Sequence, residues 1–217
     1  MRISHHIDLY HYWLAKRGSR TMPARSDIDP ADIPALLSYL TIIDKAGGQL
    51  RYRLFGTAVA REAGRDLTGR FVGCYVSDAP ESAAALRAMY ERVFTTARPV
   101  FATSKFHLTS GAIQSLSYLL LPLSDDGTQV NMIVSTLLAR FDFDAEASFN
   151  WLKGLPIKVC DMINVCDPAD LEKLCLEWDR RSLNRGRAQE MGANHRGCRV
   201  ARRAASRDGP ETPGVSQ

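Results

Sequence analysis

A chain of 217 residues and 24.1 kDa has room for one domain of ordinary size plus extensions, or for two small ones. Its 45% hydrophobic and 24% charged residues are the mix of a soluble globular protein and exclude a wholly disordered chain. The small net charge of +4 hides a strong asymmetry, because Arg180 to Gln217 holds nine arginines, no lysine and only three acids.

No apolar run approaches the roughly 18 residues of a membrane span, and the best, Leu116 to Leu123, is short and contains Ser117 and Pro122. The start, Met1-Arg2-Ile3-Ser4-His5-His6, is followed by no apolar stretch of secretory type. Five scattered cysteines, an odd number, then read as reduced thiols in a cytoplasmic protein.

Ser4 to Arg17 reads as a helix, capped by Ser4 and ended by Gly18, with Ile7, Tyr10 and Leu14 on one stripe. His5, His6 and His11 are expected to be solvated there, since no further ligand pattern completes a metal site. Asp29-Pro30 starts a second helix that Pro34 limits to a turn or two. Ser38 to Asp44 and Gln49 to Phe55 read as strands of a hairpin turning through Gly47-Gly48. In the second, Leu50, Tyr52 and Leu54 alternate with Arg51, Arg53 and Phe55.

Thr57 to Ala63 reads as a short helix closed by Gly64, and Arg65 to Gly69 as a turn-rich stretch. Leu86, Met89, Tyr90, Val93 and Phe94 fall at helical spacing and predict a helix over Pro80 to Thr96. Three strands follow, Pro99 to Leu108, Ala112 to Leu123 and Gln129 to Leu138, the last turn marked by Asp125-Asp126-Gly127. Asp167-Pro168 opens a last helix with Leu171, Leu174, Cys175 and Trp178 on one stripe. The arginine-rich end has too few large apolar residues to offset the cost of ordering and is expected to be disordered. The order does not alternate βαβ, so the fold class is α+β, an antiparallel sheet with helices on one face.

Several strings in this order resemble the PAS sensor fold, closest to a bacterial family of small standalone PAS-like proteins. They are Trp13 with Arg17-Gly18, Pro23 to Pro30, Tyr52-Arg53-Leu54-Phe55-Gly56-Thr57, Gly64-Arg65-Asp66-Leu67-Thr68-Gly69, Arg98-Pro99-Val100 and Leu121-Pro122-Leu123. The resemblance covers about residues 10–140. It implies a five-stranded antiparallel sheet with helices across one face, enclosing a small cavity or core, and a role in sensing or protein contact rather than catalysis. The chain then divides into an N-terminal helix (1–20), a PAS-like domain (21–142), a helical arm (143–180) and a disordered basic tail (181–217).

Within this frame the pocket side chains are expected to be Leu54, Leu86, Met89, Tyr90, Phe94, Phe101 and Val134. Arg53, Gly56, Thr57, Gly64, Asp66 and Gly69 are expected to be structural, with Arg53 paired to Asp66. Catalysis is not expected: no Gly-x-Ser-x-Gly elbow, no phosphate loop and no nucleophile with a base is present, and His107 stands alone. No cofactor is assigned. The 80–96 helix lacks the axial histidine of haem-binding relatives, and Gly69-Arg70-Phe71-Val72-Gly73-Cys74 lacks the Asn and Arg that flank the reactive cysteine of flavin-binding ones.

Cys160, Cys166, Cys175 and Cys198 do not have paired zinc spacing. The expected partners are a second copy of the chain, a signalling protein and a small molecule of unassigned identity. The homodimer is expected through the flanking helices, where Tyr12 and Trp13 cannot both face inward. Neither a nucleic acid nor a membrane is expected, although an adaptor whose PAS-like core is filled by its own side chains, and whose helical arm or arginine-rich tail binds a protein or nucleic-acid partner, is the alternative reading.

Overall fold

The computed structural model describes residues 4–74, 80–107, 113–140, 157–178 and 180; within strands, the side chains of 106, 107, 113, 114, 140 and 157–161 are outside the description. The elements are α1 (Ser4–Arg17), β1 (Leu40–Ala46), β2 (Gln49–Phe55), α2 (Thr57–Ala63), α3 (Pro80–Thr96), β3 (Val100–His107), β4 (Ile113–Leu123), β5 (Met132–Arg140) and β6 (Ile157–Asn164). A final helix, α4, spans 168–178. The expected basic tail at 181–217 lies outside the described residues.

Six strands form one antiparallel sheet in the order β2-β1-β5-β4-β3-β6. Five are those read from the sequence. The sixth is a correction: 157–164, expected within a helical arm, pairs instead along β3 from Val100↔Asn164 to Phe106↔Ile157. Asn164 also accepts a hydrogen bond from Arg92 Nε of α3 at 3.1 Å, which ties the added strand to the helix beside it.

The β1–β2 hairpin turns through Gly47 and Gly48, both with positive φ (57° and 79°), the conformation that a two-residue turn needs to match strand twist. Gly56 follows β2 for another reason. A Cβ there would lie 2.4 Å from the carbonyl oxygen of Ser38, so only a glycine lets the chain leave the sheet at this point. Gly64 caps α2 in the left-handed region at φ 74°.

Both faces of the sheet are covered. On the inner face α2 and α3 pack on Ile43, Tyr52, Leu116, Tyr118, Leu120 and Ile133. On the outer face α1, the 22–36 segment and α4 pack on Ile42, Phe101, Leu119, Leu121 and Val134. Helices on one face therefore describe only α2 and α3; the flanking helices close the other. Trp13 and Tyr10 of α1 are buried against this chain's own sheet, and Trp13 Nε1 donates to the Pro122 carbonyl at 2.9 Å. Tyr12 turns to the 23–32 segment, where the Asp29 backbone N–H donates to its hydroxyl oxygen at 2.8 Å. The exposed-aromatic argument for a dimer thus fails, because the chain supplies the cover itself.

Candidate functional site

Alternation along each strand sends every second side chain to the inner face, the face on which α3 lies. Leu86, Met89, Tyr90 and Val93, spaced at three and four along α3, are all fully buried against it. Opposite them stand Tyr52 and Tyr118, with Tyr52 edge-on to Tyr90 at a centroid distance of 6.4 Å and to Phe55 at 5.2 Å. Ser104 Oγ and Tyr118 OH lie 3.2 Å apart, a hydrogen bond that pairs two hydroxyls inside an apolar layer. Tyr52, Tyr90 and Tyr118 are each 2% exposed or less.

The seven expected pocket residues do not converge. Leu86, Met89 and Tyr90 share the inner face, and Phe94 packs at its margin, half-buried, with Lys45 Nζ 4.6 Å above its ring. Phe101 and Val134 belong to the outer-face core instead. Leu54 is 38% exposed. The cause is a bulge: Ile42 pairs with Leu54 but Ile43 with Tyr52, so Arg53 is an extra residue and the alternation changes phase. Phe55, read as outward, takes the inner position that Leu54 was expected to hold.

The structural residues divide similarly. Gly56 sits at a close backbone approach, Gly64 and Gly69 take positive φ, and Thr57 opens α2. Arg53 does not pair with Asp66. Its guanidinium lies 3.5 Å from Asp44, which Arg51 grips through two bonds of 3.0 and 2.7 Å. Those bonds, chiefly from Arg51, hold the Asp44 carboxyl below the usual carboxylate range despite its burial. Asp66 instead accepts from the backbone N–H and hydroxyl of Thr68 at 2.8 and 2.7 Å, closing a local turn.

The sequence reading missed His6. It is fully buried under α1 on the outer face, with Nδ1 2.6 Å from Thr136 Oγ1 and Nε2 2.9 Å from Ser117 Oγ. One ring nitrogen donates to one hydroxyl while the other accepts. Burial, with a smaller contribution from His5, lowers its pKa to about 3, so the ring is neutral at physiological pH. Excluded from solvent, this trio docks a helix and is not placed for chemistry on a substrate. Among the described residues no three His, Cys, Asp or Glu side chains are grouped to hold a metal ion.

A family model for the PAS domain matches residues 1–137, more than half of the sequence, and the chain belongs to the PAS domain family. Such domains are generally sensory and signalling modules and are typically non-catalytic. A search of curated proteins finds no match. Similar solved structures include a light-oxygen-voltage domain studied with a flavin analogue, 11% identical over 51% of this chain and 83% of that one, with a TM-score of 0.38. Another is an RNA-binding light-oxygen-voltage receptor, 16% identical with a TM-score of 0.36; the match covers 54% of this chain and 35% of the receptor. Among the described residues no helix is long and apolar enough to cross a membrane.

Proposed function

We propose that this chain is a non-catalytic, cytoplasmic PAS signalling domain that acts through protein contact, its inner core filled by its own side chains rather than by a cofactor. One observation carries the reading: Tyr52, Leu86, Met89, Tyr90, Val93 and Tyr118 occupy the space between α3 and the sheet, each almost wholly buried. A ligand the size of a common cofactor needs about 300–1,000 Å³, which these six side chains would have to vacate. Native mass spectrometry of the purified full chain tests this. Polypeptide mass alone is expected, and a stoichiometric small-molecule adduct would overturn it.

A second copy of the chain is part of this reading, since PAS domains commonly pair. Trp13 is already buried, so the apolar contact offered by the outer helical layer is Leu176 of α4, 48% exposed. Light scattering is expected to give twice 24.1 kDa for the wild type and the monomer mass for Leu176→Glu. A monomer in both samples removes the dimer and leaves a different signalling protein as the partner. Nucleic acid is not part of this reading.

A further inference from the structure

The outer edge of β2 is covered by a short loop. Tyr52 N–H donates to the Arg70 carbonyl at 2.9 Å, Gly69 N–H to the Tyr52 carbonyl at 2.7 Å and Val72 N–H to the Leu50 carbonyl at 2.8 Å. This zipper brings the loop against the N-terminal half of α3, where a Cβ on Gly73 would meet Ala83 Cβ at 3.0 Å and Arg87 Nη1 at 3.1 Å. Between hairpin, loop and helix lies an open cleft of about 390 Å³.

Its chemistry is uneven in a useful way. Leu50 and Val72 are buried and apolar, and Phe71 presents a ring 43% exposed. On the α3 side stand Glu91 and the exposed Arg87. Lys45 Nζ binds Glu91 at 2.8 Å and offsets its charge, which leaves Arg87 as the cation facing the cleft without a carboxylate partner among the described residues. A guanidinium offers paired donors to a carboxylate, and an exposed ring offers a face to a planar group.

We propose that this cleft binds small monocarboxylates bearing an aromatic or planar group, the carboxylate on Arg87 and the ring on Phe71. The site lies outside the filled core and does not depend on it, so either reading can fail without the other. The volume suits a ligand of small size, toward the lower end of binding sites.

Cys74 lines the same cleft with an exposed thiol and serves as a reporter. Cys166, also exposed, precedes α4 on the opposite side of the sheet and serves as the control. The full chain is alkylated with iodoacetamide and each cysteine is followed by peptide mass spectrometry, with phenylacetate as the probe at about 10 mM. A ligand of roughly ten heavy atoms binding at about 1 mM would slow Cys74 about tenfold. The expected result is that slowing with Cys166 unchanged, no slowing by uncharged phenylacetamide, and loss of protection in Arg87→Gln. Unchanged Cys74 rates, equal protection by phenylacetamide, or protection persisting in Arg87→Gln would each overturn the proposal. Phe71→Leu separates the ring from the charge: weaker protection by phenylacetate is expected, and undiminished protection contradicts the stacking.

Discussion

His6 is the residue whose protonation state the fold sets most strongly. Its folded pKa of about 3 lies below the ordinary 6.5, so the unfolded chain takes up a proton that the folded chain refuses. The stability gained from a neutral His6 is fully present above pH 6.5 and is lost as pH falls from there toward 3. Between pH 7 and 5, above the range of ordinary carboxylates, the loss should be about 1–2 kcal/mol. Urea unfolding at both values is expected to show it, and His6→Gln, which keeps donor and acceptor without titrating, should flatten it. An unchanged slope in that variant would mean another group titrates. Nothing local in the sequence marks this histidine, because its partners Ser117 and Thr136 lie 111 and 130 positions away. The same holds for Leu54 and Phe55, whose exchange of faces follows from a bulge defined only by the neighbouring strand.

Helix α3 was legible because its large apolar side chains repeat every three or four residues from Leu86 to Phe94, and the structure buries Leu86, Met89, Tyr90 and Val93 of that stripe. How deeply each member sits was not legible. Met89 is fully buried while Phe94 stays at the margin, so Met89→Ala should cost about 2–5 kcal/mol and Phe94→Ala clearly less, despite removing the larger side chain. Chemical denaturation of the two variants reads the difference directly. Strand β6 was missed for a different reason: its pairing partner β3 lies more than fifty residues earlier, and the flanking Trp151, Leu152 and Leu155 suggested a helix. Gly56 belongs to the turn out of β2, and Gly56→Ala should destabilise by about 2 kcal/mol or more, since its Cβ would meet backbone rather than a movable side chain. A melting temperature equal to wild type would show that the Ser38 backbone can yield.

The chain forms a PAS domain with both sheet faces occupied, α2 and α3 on one and the two terminal helices on the other. The succession of helices and strands along the chain from α1 to β5 followed from turn signals and periodicity, which are local properties, whereas the five-stranded sheet itself was implied by the resemblance. Which face each terminal helix covers, and how deeply each side chain beneath α3 is buried, depend on contacts between distant segments and could be read only from the fold. The central claim, that the space beneath α3 is filled by the protein itself, is tested most directly by removing anything bound. The full chain is unfolded in urea, dialysed exhaustively and refolded, and its amide NMR spectrum and melting temperature are compared with those of the protein as purified. A core closed by Tyr52, Met89, Tyr90 and Tyr118 predicts identical spectra and an unchanged melting temperature. Shifted resonances of α3 and the inner sheet face, with a lower melting temperature restored by the material dialysed away, would contradict it.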